Sequence, residues 1–401
     1  MDVVLRNALV IDTDPVTIRP GTDVLISDGR IAAVGAGLTA GTVIDCTDRI
    51  VLPGFVDTHR HLWQGLMRSF CADMTLREYL DKLLWPIQRV LTPEDLEIGN
   101  LAGGLECLAS GVTTVLDYSF SPTFEHAEAA VRGLRASGVR AMHGYGQPVE
   151  ASGMVAEDVT RAAALAGGVV EVALAPLGPS FSDMAVVEEV WRLASSLGLR
   201  VMVHIAGQEK PMTALRERGL LHSEITFVHG NGLPDGELEL VAEAGAGVSI
   251  APGLEALMGH GGPMVRRTRG LGVLTGLATD TVTAVAGDMF SVMRATLLSA
   301  HMSEGVHVTP ADVLRMATIE GAAAAGMADR IGSLGVGKHA DLVVLRANDI
   351  NLVGTHDPVA AVVTAAHPGN VEKVFVGGAE VRQQDVAGAV RATAASLVSR
   401  L

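Results

Sequence analysis

Residues 51–68 read VLPGFVDTHRHLWQGLMR. An apolar run with the composition of a buried strand reaches Phe55 and Val56 and then ends in Asp57-Thr58-His59-Arg60-His61. Side chains on a strand alternate faces, so His59 and His61 point one way and Arg60 the other. Two imidazoles on one side of a strand end form half of a metal site. An isolated His-x-His pair is weak evidence, because a single histidine is more often a satisfied core or surface residue. The rest of the chain has to supply further ligands at suitable places.

The chain has 401 residues, 48% hydrophobic and 19% charged, which is ample for one large core or a large domain with a smaller one. Mean hydropathy is +0.34, raised by Ala, Val, Leu and Gly spread throughout. No run reaches the roughly 18 uninterrupted apolar residues of a membrane helix. The opening MDVVLRNALVIDTD is acidic at once and lacks the basic and apolar regions of a signal peptide. A net charge of −15, a pI near 5.3 and the lack of any basic run argue against nucleic-acid binding. Cys46, Cys71 and Cys107 lie far apart without CxxC spacing and read as reduced thiols, as in a cytoplasm. The expectation is a cytoplasmic protein with a small-molecule substrate and neither a nucleic-acid nor a membrane partner.

Strand-like runs alternate with helix-like runs. The strand-like runs are Ile50–Thr58, Thr113–Ser119, Val139–Gly146, Val170–Pro179, Arg200–Gly207, Glu224–Asn231, Gly247–Gly253 and Gly272–Asp280. They are short, rich in Val, Ile, Ala and Thr, and mostly continuous, as strands buried on both faces should be. Between them, Thr92–Gly111 opens on a capping signal with Pro93 and Asp95, and Met184–Leu197 is amphipathic and stopped by Gly198. Asp235–Ala244 and Asp288–His301 follow the same logic. Eight evenly spaced βα units over about 280 residues, without a glycine-rich phosphate loop, favour a (β/α)8 TIM barrel over a doubly wound sheet. Residues 1–50 and 335–385 alternate and carry turn signals, so both chain ends are expected to pair into one small β-sandwich. The predicted division is 1–52 for its N-terminal part, 53–333 for the barrel, and 334–401 for its C-terminal part with a closing helix.

Barrel chemistry sits at the C-terminal ends of strands. Strand 1 ends in His59 and His61, strand 5 (RVMVHIAG) carries His204, strand 6 (ITFVHGN) ends with His229 and strand 8 (GVLTGLATD) ends with Asp280. Imidazole and carboxylate donors favour zinc, iron(II) or manganese(II) over magnesium or calcium. His59, His61, His204 and Asp280 would hold one divalent metal, with a position open for an activated water. His229 is then spare, and suited to polarise the electrophile.

The segments PGFVDTHRH, VHIAG, FVHGN and GLATD resemble the amidohydrolase superfamily over nearly the whole chain. The tail TPADVLRMATIEGAAAAGMADRIGSLGVGKHADLVVL is similar to that family's closing helices and returning sandwich strand. HRHLWQGLMRS resembles the branch that holds guanine and 8-oxoguanine deaminases and the s-triazine aminohydrolases and chlorohydrolases. The resemblance implies a barrel with a β-sandwich, a homodimer or higher homo-oligomer, and hydrolytic displacement at an amidine-like ring carbon with release of ammonia. It implies His59, His61, His204 and Asp280 as ligands, His229 as the polarising histidine and Asp280 also as a base. Strand 4 (VEVALAPLGP) has no bridging Lys, so one metal is expected, zinc first. The family's mononuclear deaminases usually carry a Glu three residues after the strand-5 His, where this chain has Gly207. Glu209 and Glu255 are the candidates to carry a proton to the leaving amine, Glu255 preferred.

Trp63 and Gln64 directly follow the His-x-His and are expected at the mouth, with Gln64 able to bond a ring amide edge. His143, at the end of strand 3, and His260, in the glycine-rich MGHGG loop, are further candidates for substrate contact. Arg60 is expected to face the helix shell and to need a buried carboxylate. Asp288 and Arg294 could orient Asp280, although helix capping is the plainer reading of Asp288. Short loops predict a thin roof and a small or flat substrate. The leading function is hydrolytic deamination of an aminopurine, aminopyrimidine or aminotriazine. The same site hydrolysing a cyclic amide, C–Cl or thiocarbamate bond is the alternative, and a non-catalytic scaffold barrel the remote one.

Overall fold

The structure is a computed structural model and describes residues 2–146, 153–206, 210–382 and 384–401. Its centre is a parallel (β/α)8 barrel. The strands run Phe55–Arg60, Val112–Phe120, Arg140–Gly146, Val170–Ala175, Val201–Ile205, Ile225–His229, Gly247–Ile250 and Leu274–Leu277, each beside the next in chain order. The ring closes where Arg60 bridges Asp280: the His61 N–H donates to the Asp280 carbonyl at 2.8 Å, and the Asp280 N–H to the His59 carbonyl at 3.0 Å. The seam of the barrel thus runs through residues singled out for chemistry.

The predicted run Ile50–Thr58 is two strands. Arg49–Pro53 pairs antiparallel with Leu342–Arg346 in a second sheet, and the barrel strand starts at Phe55. Pro53-Gly54 makes the break, since a proline cannot donate to a ladder. A Cβ on Gly54 would lie 2.1 Å from Thr113 Oγ1, so only glycine lets the chain pass this close. The second sheet is mixed and eight-stranded. It joins Val3–Thr13, Val16–Ser27, Arg30–Gly35, Thr42–Asp45 and Arg49–Pro53 to Leu342–Arg346, Val371–Val376 and Ala379–Glu380, so both chain ends build one unit. A buried ion pair, Arg140 Nε to Asp341 Oδ2 at 2.7 Å, ties it to the third barrel strand.

The helix signals hold. Thr92 and Asp95 form a reciprocal capping box on Pro93–Ala109, and Asp288 caps Met289–His301 by accepting from the Ser291 N–H. Among the described residues no helix is long and apolar enough to cross a membrane.

Candidate metal centre and its cavity

The orientation of the two first-strand histidines depends on a kink. Thr58 faces the barrel interior, its Oγ1 2.7 Å from Ser249 Oγ and 3.0 Å from the Leu277 carbonyl. Strict alternation from Thr58 would turn His59 outward. Instead Asp57 pairs with Val115 and Arg60 with Asp117, three steps on one strand against two on its neighbour. This β-bulge inserts one residue and turns His59 and His61 inward together. Arg60 goes outward, where its guanidinium meets Glu106, the Gly287 carbonyl at 3.1 Å and Asp57 at 3.8 Å.

His59, His61, His204 and Asp280 converge on one point. His59 Nε2 lies 3.2 Å from His204 Nε2 and 3.4 Å from Asp280 Oδ1, and His61 Nε2 lies 3.5 Å from the same oxygen. His61 Nδ1 is 2.8 Å from the Tyr118 carbonyl, which can only accept. Nδ1 therefore carries the proton, and the Nε2 lone pair is left facing the cluster. Burial pulls His59 down to about 4 and lowers His61 and His204 as well, so all three rings are neutral at neutral pH. Burial alone would raise the Asp280 carboxyl, but the His229 and His59 rings outweigh it and hold it well below the usual range. Two overlapping triads, His59–His61–His204 and His59–His229–Asp280, each have ligand atoms within 4.8 Å of one another, and imidazoles with a carboxylate are donors that could hold a divalent cation.

His229 lies between two carboxylates. Its Nε2 is 3.3 Å from Asp280 Oδ2 and its Nδ1 is 3.1 Å from Glu255 Oε1. Burial opposes charge on this ring, but the two carboxylates outweigh it and push His229 up to about 9. His229 and Asp280 both have left-handed backbones, φ +66° and +65°. Such conformations are uncommon outside glycine and gather at functional sites. Glu255 is buried behind His229. Besides that ring, it accepts from the Ala251 N–H at 2.9 Å and Asn231 Nδ2 at 3.1 Å. The expectation that Glu255 carries a proton to the leaving group is corrected: its oxygens are taken up in holding His229, and it does not line the cavity. Glu209 lies outside the described residues.

A cavity of about 330 Å³ opens above the cluster, reaching His61, His204, His229, His260, Asp280 and Thr281. One wall is a helical segment that the sequence reading missed, Leu76–Tyr79 continued by a π-helical turn Leu80–Leu84 and Trp85–Gln88. It presents Leu76, Tyr79, Leu80, Leu84 and Trp85 to the cavity, faced by Phe120, Leu177, Phe181, Leu254 and Met258. The i, i+3, i+4, i+8 spacing from Leu76 was visible, but such a stripe also describes ordinary core. The thin-roof expectation is amended too, because the long connection after strand 1 supplies this wall.

Three expected contact residues stand elsewhere. His143 is on the outer face of strand 3, fully buried, its Nδ1 2.9 Å from Asp117 Oδ2. Outward Ala141 and inward Met142 set that register, opposite to the inward facing expected of His143 from its strand-end position. Trp63 and Gln64 belong to a tight turn, Leu62–Met67, which folds back onto Pro93–Ala109; a Cβ on Gly99 would lie 2.8 Å from Trp63 Cα. Trp63 is therefore core. Gln64 is spent beneath the floor: its Nε2 donates to Tyr79 Oη at 2.6 Å, and it accepts from Thr281. Asp288 caps its helix and Arg294 donates to the Ala366 carbonyl. His260 does line the cavity, its ring edge-on to His229 at 4.5 Å between centroids.

The profile of the amidohydrolase family matches residues 50–381. A 5-methylthioadenosine/S-adenosylhomocysteine deaminase of Desulforudis audaxviator (strain MP104C) is 32% identical, over 94% of this chain and 93% of that protein. A 5'-deoxyadenosine deaminase of Methanosarcina mazei (strain Goe1) is 29% identical, over 96% and 93%. The crystal structure of an adenosine deaminase from Xanthomonas campestris with bound zinc superposes with a TM-score of 0.90 at 26% identity, covering 100% of this chain and 98% of that one.

Proposed function

We propose that this chain, which belongs to the amidohydrolase family, is a metal-dependent hydrolase that replaces the amino group of a small N-heteroaromatic compound with water. The observation that carries the reading is the convergence of His59, His61, His204 and Asp280 beneath a cavity sized for a small ligand, which His61, His204 and Asp280 line. The names of the relatives, deaminases of adenosine derivatives, support the same bond.

His59, His61, His204 and Asp280 would hold one divalent ion. Zinc fits the donor set and is bound in the related Xanthomonas campestris structure; iron(II) and manganese(II) are the alternatives. When bound, such an ion supplies Lewis-acid activation of water and of the group attacked. The protein's own groups do the rest. Asp280, held ionised by its neighbours, accepts the proton that water gives up. His229, kept protonated between Asp280 and Glu255 at the cavity floor, sets its positive charge beside the ring under attack and polarises it. The apolar wall keeps bulk water off the reacting carbon.

The unpaired buried cysteines support a reducing, cytoplasmic setting. Exposed Leu298 and Met302 support self-association into a homodimer or higher homo-oligomer.

The test is ammonia release by purified, zinc- or manganese-loaded protein across aminopurines, aminopyrimidines and aminotriazines. Release that disappears in Asp280→Asn is the expected result. Silence across the panel with about one metal bound per chain would sink the deaminase reading and move it to the cyclic-amide, C–Cl or thiocarbamate alternative.

A further inference from the structure

An amide ion is too poor a leaving group to depart unprotonated, so displacement of an amine needs a group that hands a proton to the departing nitrogen. The described cavity-lining residues can be taken in turn. His61, His204 and Asp280 belong to the metal cluster. His229 has both nitrogens on carboxylates. Tyr118 donates its hydroxyl to the Pro176 carbonyl at 2.8 Å. Thr281 donates to Gln64, and Tyr79 Oη accepts from Gln64 while burial pushes its phenol up, which makes it a poor proton carrier. His260 is different. Its Nε2 is shielded from solvent and has no hydrogen-bond partner, although the residue lines the cavity.

The placement of His260 is also built. Its backbone N–H donates to the Glu255 carbonyl at 2.9 Å, and Asn231 Nδ2 donates to the Gly262 carbonyl at 3.1 Å. The residues that fix His229 thus also fix the loop that carries His260. Gly259 and Gly261 on either side have φ +75° and +134°, which lets the loop bring the imidazole back over His229.

We infer that His260 is a catalytic residue of the reaction proposed above, passing a proton to the leaving nitrogen from its imidazole. This rests on the deaminase reading. The atoms balance without a further reactant. A water O–H bond breaks as the oxygen bonds to the ring carbon, and that proton passes by way of Asp280 and His260 to the amine. The C–N bond breaks, and its electron pair leaves on nitrogen as ammonia. The second water proton moves from the new hydroxyl to the adjacent ring nitrogen and leaves a carbonyl. His260 ends as it began. Burial, its main influence, pulls His260 down to about 4, so at neutral pH it has the free lone pair that a proton carrier needs.

The experiment compares two substrates of one ring, one carrying an amino group and one carrying chloride at the same carbon. Chloride departs as an anion and needs no proton. His260→Ala should lower kcat on the amino compound by about 10²–10⁴-fold, the usual worth of a general acid–base group. On the chloro compound the loss should stay below about tenfold. Added imidazole should restore part of the amino activity. His260→Gln, closer in shape, serves if the alanine variant does not fold, with metal content and Tm measured for both. Equal losses on the two substrates, with no rescue by imidazole, overturn the inference and leave the deaminase reading intact. Wild-type protein that releases neither ammonia nor chloride overturns that reading, and this inference with it.

Discussion

Glu255 and His229 form a buried carboxylate–imidazole pair, Oε1 to Nδ1 at 3.1 Å, with Asp280 on the far nitrogen of the same ring. The pair spans two barrel strands: His229 ends the sixth, and Glu255 sits on the short helix Pro252–Met258 after the seventh. Its consequence is a fixed ring direction and a retained proton. Glu255→Gln keeps the shape and removes the charge that holds the proton on His229. The expected outcome is a fall in kcat of about 10–100-fold, the usual cost of losing such a supporting partner, with little change in KM. Steady-state kinetics decide it. Unchanged kcat would mean that Asp280 alone sets the state of His229.

The pair also shows what could be read in the chain beforehand. His59, His61, His204, His229 and Asp280 were legible because each ends a short apolar run, and the barrel puts such ends in one place. Barrel order and the joining of the chain ends were legible for the same reason, from alternating and continuous apolar patterns. Facing was not legible where it depended on a bulge or on an unseen register. Alternation correctly paired His59 with His61, but only the bulge after Thr58 aims them inward. His143 has as good a strand-end position as His229 and falls on the opposite face. Gln64 is spent on a hydrogen bond to Tyr79, fifteen residues away, which no local pattern announces.

His143 and Asp117 therefore belong to the frame. The Asp117 carboxylate accepts from His143 at 2.9 Å, Asn100 at 3.2 Å and the Leu62 N–H at 3.3 Å, and so anchors the backbone next to His61. Asp117→Ala strands these buried donors and should cost about 1–3 kcal/mol for each group left unsatisfied. His143→Phe should lower Tm while leaving KM within about twofold, since ΔΔG from packing does not touch the cavity. A large rise in KM with unchanged Tm would return His143 to the substrate.

Metal retention should follow the cluster. His204→Ala removes the imidazole that faces His59 at 3.2 Å and should take metal content from about one per chain to near zero after dialysis. Asp280→Asn keeps the three imidazoles and should retain part of the metal while turnover is lost. Elemental analysis beside activity separates the two. Full metal retention in His204→Ala would place the ion elsewhere. Chelator treatment of the wild type should lower Tm, because an ion that binds only the folded chain stabilises it, and added zinc should restore it.

Arg60, on the outer face of the bulge, is 1% exposed and counters the fully buried Asp57. Burial pushes the Asp57 carboxyl up, and Arg60 is the strongest of the influences that oppose it. Arg60→Met leaves a buried carboxylate without its cation and should destabilise the chain by about 3–5 kcal/mol. Denaturant unfolding measures this. A loss below about 1 kcal/mol would show the pair to be replaceable by packing, as some buried ion pairs are.

The cavity wall bears on the size and polarity of the substrate. Leu76, Leu80 and Leu84 line it, while the neighbouring Arg77–Asp81 and Glu78–Lys82 pairs, at 2.7 and 2.8 Å, stay exposed. An apolar wall rewards an apolar ring substituent by burial, at about 0.8 kcal/mol per CH₂. Across a series of aminoheteroaromatics with lengthening alkyl chains, kcat/KM should rise by roughly threefold to fourfold per carbon until the wall is filled. Leu80→Ala removes three carbons of that wall. It should cost an alkyl-bearing substrate roughly 2 kcal/mol, or about 30-fold in kcat/KM, and the bare ring far less. If bare and alkylated rings lose equally, Leu80 supports the helix without touching the substituent, and the alkyl group lies on the Phe181 side of the cavity.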